Sequence, residues 1–139
     1  MTTNQLDEQA RVSWVREAFQ KANQYLAENG ILFDSVKVEQ CLYLAPIVAV
    51  WKIKAKNGKW YWVISGNVTS DACALDNAAN ARDAMRHFAL SWQLKAEQLL
   101  NMQQLDQTQR DYANLLIEQA ERLYQMHDDE SLWQPTANS

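Results

Sequence analysis

The stretch Ile47-Val-Ala-Val-Trp-Lys-Ile-Lys-Ala-Lys56, Asn57-Gly58, Lys59-Trp-Tyr-Trp-Val-Ile-Ser65 decides the fold of this chain. Alternating apolar residues flank Asn-Gly, a pattern typical of a β-hairpin with a two-residue turn. Both residues of such a turn take a positive φ, and the turn fixes which residues pair across the strands. The sequence therefore predicts that Ala55 pairs with Trp60 and that Ile53 pairs with Trp62.

Alternation along the paired strands assigns every side chain of the hairpin to one of two faces. One face is wholly apolar and needs a cover, most simply amphipathic helices: Ala49, Trp51, Ile53, Ala55, Trp60, Trp62 and Ile64. The opposite face collects four lysines and an aromatic ring: Lys52, Lys54, Lys56, Lys59 and Tyr61.

This lysine-bearing face is the candidate binding surface. Its amines could hold phosphates or carboxylates while Tyr61 stacks on a base or sugar. The alternative is that the lysines keep the solvent face of the sheet soluble and discourage pairing between sheet edges. The alternative is favoured, because the strip lacks arginine and the whole chain has a net charge of −4.

Helical and strand periodicity organises the rest of the chain. A helix is predicted over 5–29, with an apolar stripe and a stop at Asn29-Gly30. The stripe comprises Val12, Val15, Phe19, Ala22 and Leu26. A weaker strand is predicted over 36–43, and Gly66 with the polar run that follows it is expected to end the sheet.

The region after Gly66 has no glycine, and no proline before Pro135, which indicates helices. One helix is predicted over 77–101 with Asp76 as its cap. A second runs to Met126, capped through Asp106-x-x-Gln109 or through Thr108-x-x-Asp111. One bent helix over 77–126 is the alternative, and two antiparallel helices are favoured.

The predicted fold class is α+β. An N-terminal helix precedes a three-stranded antiparallel meander with the Asn-Gly hairpin, and two C-terminal helices pack on one sheet face. The chain of 139 residues suits a single domain, 1–139, with an ordered core of about 5–127 and an acidic and polar tail at 128–139.

Composition narrows the function classes. No apolar run approaches the length of a membrane span, and the N-terminus lacks the pattern of a signal peptide. Cys41 and Cys73 are therefore expected to be reduced thiols, and the protein is expected in the cytoplasm without a membrane partner. An acidic chain is also a poor candidate for general nucleic-acid binding.

Catalytic chemistry finds little support. The predicted helix carries Asp83, His87 and Ser91 at intervals of four residues. Helical side chains all lean toward the N-terminus, however, and this does not suit presentation of an activated Ser91 hydroxyl to a substrate. The soft metal ligands match no zinc pattern: Cys41, Cys73, His87 and His127. We therefore predict no catalytic residue, no metal and no cofactor, which leans against an enzyme.

Aromatic and charged surfaces point to binding instead. Trp14, Trp60 and Trp133 are the tryptophans most expected at a surface, where two exposed together would mark a patch. Eight acids lie in 97–130 against two arginines, opposite in charge to the hairpin. We predict a protein-interaction module, including self-association as a homodimer. The alternatives are a Trp-lined site for a small ligand or substrate and nucleic-acid binding through the lysines.

Four segments also resemble a known family: 43–56, 59–66, 80–88 and 91–97. They are similar to small uncharacterised bacterial proteins that have no assigned function. The resemblance covers most of the chain and implies a bacterial cytoplasmic protein. It transfers no functional residue.

Overall fold

The computed structural model describes residues 2–133, with side chains from residue 7 onward. The chain divides into two compact units, residues 1–84 and residues 85–139. The expectation of one domain over the whole chain stays a prediction.

The first unit contains a long helix and a five-stranded antiparallel sheet. Its elements are α1 (Thr2–Glu28), β1 (Phe33–Val36), β2 (Leu42–Leu44), β3 (Val48–Ala55), β4 (Trp60–Gly66) and β5 (Asp71–Ala74). The strand order is β1-β3-β4-β5, and β2 pairs with β3 beside β1. Helix α1 ends before Asn29-Gly30, as predicted.

The three-stranded meander was wrong in its strand count. A 3-10 turn at Val38–Gln40 breaks the predicted strand over 36–43 and leaves β1 and β2 as two short strands on the same edge of β3. The segment after Gly66 does not end the sheet, since β5 pairs with β4 there. Strand β5 was not predicted because the segment after Gly66 is polar. Its strand conformation depends on pairing with β4.

Two C-terminal helices are present: α2 (Ala81–Leu100), which begins at the end of the first unit, and α3 (Gln107–Asp128). The predicted cap of α3 is confirmed, because Asp106 and Gln109 form a capping box. The predicted cap of α2 was wrong. Asp76 lies in a 3-10 turn, and Asn80 Oδ1 accepts the backbone N–H of Asp83 at 2.9 Å.

The hairpin turn holds three residues, Lys56–Gly58, instead of two. Gly58 N–H donates to Ala55 O and Ala55 N–H donates to Lys59 O, both at 2.9 Å. Gly58 has φ +86°, while no described residue other than glycine has a positive φ. Asn57 therefore sits in an ordinary turn, and Gly58 forms the bulge that closes a three-residue loop.

This loop moves the strand register by one residue. Ile53 pairs with Tyr61 and Lys52 pairs with Trp62, so the predicted pair of Ile53 with Trp62 was wrong. A one-residue shift turns every side chain of one strand to the opposite face. The faces of β3 are as predicted, and those of β4 are reversed.

Helix α1 packs on the face of the sheet that carries Trp51. Buried residues from both elements form the core there: Ala18, Ala22, Leu26, Ala49, Trp51, Ile53 and Val63. Small alanines let the helix backbone approach the strands. Ser65 Oγ donates to Ala18 O at 2.6 Å and accepts from Trp51 Nε1 at 2.9 Å, so one buried hydroxyl joins β3, β4 and α1.

The opposite face of the sheet is also apolar away from the hairpin turn. Its buried residues are Val48, Val50, Trp62 and Ile64. The indole N–H of Trp62 lies 3.2 Å from both Leu75 O and Ala78 O, which fixes the ring against the 3-10 turn at Leu75–Asn77.

Gly66 generates the first prediction. It has φ +116°, and a Cβ there would lie 2.8 Å from Trp14 Cζ2 and 2.9 Å from Ile47 O. We expect Gly66→Ala to lower the free energy of unfolding by about 2–4 kcal/mol, through backbone strain and the clash with Trp14. Urea denaturation followed by circular dichroism measures this.

Gly58→Ala is the matched control, because its φ is also positive but nothing lies within 4 Å of its Cβ position. It should cost only about 1 kcal/mol. Equal losses from the two variants would contradict a packing role for Gly66.

Ser65 generates the second prediction. Ser65→Ala leaves the buried N–H of Trp51 without its acceptor and should cost about 1–3 kcal/mol of unfolding free energy. In a Trp51→Phe background the same change should cost less by at least about 0.5 kcal/mol, because no donor remains. Additive losses in this double-mutant cycle would show that the two side chains are not coupled. Ser13→Ala on the exposed side of α1 serves as the control.

Candidate functional site

An apolar groove lies between α1 and the edge of the sheet where β1 gives way to the 3-10 turn. Its volume is about 320 Å³. It is lined by Val12, Val15, Arg16, Phe19, Val36, Val38 and Trp51.

Aromatic rings form the floor of this groove. The centroid of Phe19 lies 5.0 Å from that of Trp51 and 5.5 Å from that of Phe33. Tyr43 approaches Trp51 from β2, with centroids 5.1 Å apart. The indole N–H of Trp51 is bonded to Ser65, so this ring offers the groove only carbon atoms.

Two valines form the rim and face solvent. Val12 is 48% exposed and Val38 is 56% exposed. The sequence had placed Val12 in the core stripe of α1, which was wrong, whereas Ala22 and Leu26 of that stripe are buried, together with Ala18. Among the described lining residues, Arg16 alone is charged. The groove can therefore bury apolar groups and offers one cation at its margin.

The lysine-bearing face differs from the predicted one in its aromatic residue. Tyr61 pairs with Ile53 and packs against the core under α1. Trp60 takes its place, because Lys54 and Trp60 are cross-strand partners. Lys52 Nζ lies 5.5 Å from the centroid of Trp60 and 5.9 Å from that of Trp62, and it donates to Gln40 Oε1.

The remaining lysines lie near the hairpin turn, and Lys59 was wrongly assigned to that face, because it pairs with Ala55 and alternates with Trp60. Lys54 is half-buried, while Lys56 and Lys59 are exposed. Asn57 in the turn accepts the N–H of Lys59 and lies 3.4 Å from the hydroxyl of Tyr61. Lys52 therefore has partners within the fold, whereas the other three lysines lie nearer the tip of the hairpin.

The three tryptophans expected at a surface are all half-buried, and the structure does not bring Trp14 and Trp60 together. Trp14 packs on Gly66 from α1, whereas Trp60 lies on the opposite face of the sheet. In the second unit, Trp133 Nε1 donates to Met126 O at 3.1 Å and to His127 O at 3.0 Å.

The residues weighed for catalysis are not assembled into a site. Among the described residues, no hydrogen bond joins Asp83, His87 or Ser91 to another of the three. Residues 2–133 also contain no group of three or more His, Cys, Asp or Glu side chains arranged to hold a metal ion. None of the helices in that range combines the length and apolarity needed to cross a bilayer.

Both cysteines are half-buried and free, and burial disfavours their thiolate forms. Burial raises the pKa of Cys41, although a hydrogen bond from Lys52 N–H to its sulfur works against the rise. Burial, and after it the Asp71 carboxylate, raises the pKa of Cys73 to about 11. Burial likewise raises the pKa of Tyr43, beside Cys41, to about 12. None of these groups is activated as a nucleophile at neutral pH.

The apolar groove was missed from the sequence. The signal available was Val12, Val36 and Val38, three β-branched residues that the predicted elements placed in a core stripe or a strand. Their grouping depends on the 3-10 turn, which the predicted strand over 36–43 concealed.

The thiols generate a prediction. A rise in the pKa of Cys73 from 9.0 to about 11 leaves roughly 100-fold less thiolate at pH 7. We expect iodoacetamide to alkylate Cys73 in the folded protein far more slowly than in guanidinium chloride, with the rate still rising above pH 9. Mass spectrometry of the Cys73 peptide measures this rate. Equal rates at pH 7 in the folded and unfolded protein would contradict the expectation.

Comparison with known proteins places the chain in a family. No curated protein matches it, and no solved structure matches it. A family model described as a domain of unknown function, DUF4826, matches residues 8–133. This confirms the resemblance to a family without an assigned function. Since the match covers most of the sequence, the chain belongs to the DUF4826 family.

Proposed function

We propose that this chain is a non-enzymatic protein-interaction module of the cytoplasm. The groove between α1 and the edge of the sheet binds an amphipathic helix of a partner protein. The observation that carries the proposal is the open, almost wholly apolar lining of the groove, with two half-exposed valines at its rim. Carboxylates beside the partner's apolar stripe would meet Arg16.

The apolar lining supplies the affinity. Covering a half-exposed valine contributes roughly 1 kcal/mol, so Val12 and Val38 together are worth about tenfold or more in the dissociation constant. Trp51 and Phe19 already hold their positions through core contacts, so binding does not have to order them. Rigid aromatic groups beneath an apolar rim are typical of interface hot spots.

The edge of the sheet favours a helix over an added strand. A bound strand needs a continuous row of free backbone groups. Here β1 has four residues and β2 has three, and the 3-10 turn interrupts the edge between them. The groove instead presents side chains, which suits apolar residues at helical spacing on a partner.

A small ligand is the second candidate for the same groove. The volume of about 320 Å³ lies at the lower end of the range for small-molecule sites, and a tryptophan lines it. An apolar carboxylate would use the same lining and Arg16. A short fatty acid such as decanoate is therefore the probe that separates this candidate from a peptide.

We expect the double variant Val12→Glu/Val38→Glu to weaken binding of an amphipathic peptide at least tenfold. The peptide carries leucines at i, i+4 and i+7 and glutamates elsewhere. The two introduced carboxylates remove apolar rim contacts and repel the peptide's acids. Fluorescence anisotropy of the labelled peptide gives the affinity, and NMR chemical-shift changes locate the site.

Leu32→Glu is the matched control, because Leu32 is 59% exposed and does not line the groove. Its affinity should stay within about twofold of the wild type. Shift changes away from the groove, or equal binding by the rim variant, would refute the peptide site. Binding of decanoate without peptide binding would assign the groove to a small ligand.

A further inference from the structure

The hairpin carries positive charge that the fold does not neutralise. Residues 47–66 contain four lysines and no acid in a chain with 17 acids and 13 Lys and Arg residues. The amine of Lys52 donates to Gln40 Oε1 and lies over the indole rings of Trp60 and Trp62. Among the described residues, the amines of Lys54, Lys56 and Lys59 make no hydrogen bond or ion pair. Like charges gathered this way favour an anionic partner.

The second unit carries the opposite charge on exposed side chains. Between 97 and 130 there are eight acids, against Arg110 and Arg122. On α3, Asp111, Leu115 and Glu118 are exposed, and Leu115 retains 43% of its accessible surface. Their i, i+4 and i+7 spacing places them on one side of the helix. This side presents an apolar residue between two carboxylates.

We propose that the tip of the hairpin, formed by Lys54, Lys56, Lys59 and Trp60, docks on this side of α3 in a second copy of the chain. Each copy contributes one hairpin tip and one α3, so the contact is reciprocal between two copies, and a two-fold dimer is the commonest closed assembly for such a contact. This contact is separate from the groove and does not depend on it.

The two surfaces match in size and chemistry. Asp111 and Glu118 are about 10 Å apart along the helix axis. Lys54 lies roughly 7 Å along its strand from Lys56 in the turn, a span that flexible lysine side chains readily extend. Trp60, the cross-strand partner of Lys54, supplies an aromatic anchor for Leu115 between the charged pairs. The contact is small and charged, so its affinity falls with salt.

A second copy fits these observations better than a nucleic-acid strand. The hairpin has no arginine, and the chain as a whole would repel a polyanion. The chain's own acidic helix supplies the missing carboxylates.

Sedimentation velocity tests the proposal. The wild type should form a dimer at about 50 mM NaCl and dissociate at about 500 mM, because screening weakens the charge pairs. Lys56→Glu/Lys59→Glu should raise the dissociation constant of the dimer at least tenfold, and so should Asp111→Lys/Glu118→Lys. Arg11→Glu/Arg86→Glu changes the net charge as the first variant does, but away from the contact, and should leave the dimer intact.

Mixing the two contact variants gives the sharpest readout. Each alone sets like charges against each other, whereas a heterodimer sets the introduced glutamates against the introduced lysines at one contact and keeps the native lysines against Asp111 and Glu118 at the other. We expect two monomeric variants to form a dimer on mixing at low salt. Circular dichroism of each variant confirms that it is folded.

Three results would overturn the proposal. The first is a wild type that stays monomeric at every salt and protein concentration. The second is a mixture of the folded variants that does not associate. The third is a monomeric wild type that binds oligothymidylate and loses that binding in Lys56→Glu/Lys59→Glu, which would assign the surface to a nucleic-acid strand.

Discussion

The hydroxyl of Ser65 is the contact on which the first unit depends. It donates to a carbonyl of α1 and accepts the indole N–H of Trp51, so the helix and the two central strands meet at one buried polar atom. A bond of 2.6 Å between a strand side chain and a helix backbone requires close approach, which Ala18 and Ala49 permit. The second bond, in which the Trp51 indole N–H donates to Ser65 Oγ at 2.9 Å, orients Trp51, whose ring lies at the floor of the groove. The packing of α1 on the sheet and the position of the groove floor therefore both depend on the Ser65 hydroxyl.

The sequence correctly predicted those structural features whose formation depends only on nearby residues. The hairpin, the end of α1 and the capping box of α3 each depend on a few neighbouring residues. The turn type does not follow from Asn-Gly alone, because the same pair can fill a two-residue turn or the last two positions of a three-residue loop. The choice moves the register by one residue. Strand β5 was hidden for a related reason, since its pairing with β4 outweighs its poor strand propensity.

The candidate surfaces were predictable only in part. The lysines were found because charge can be read residue by residue. The aromatic residue beside the lysines could not be identified in this way, because it depends on the strand register. Trp60 lies where Tyr61 was expected. The groove draws on α1, β3 and the 3-10 turn together. No single segment carries its pattern, and only the placement of three separate elements reveals it.

The corrected register also separates the two surfaces. Trp51 and Lys52 are consecutive in β3, and alternation points them to opposite faces of the sheet. Trp51 lines the groove beside α1, and Lys52 lies with Trp60 and Trp62 on the other side. A helix bound in the groove would therefore leave the hairpin tip uncovered, and a second copy on the tip would leave the groove open. The two proposed partners would therefore contact opposite faces of β3 and would not compete.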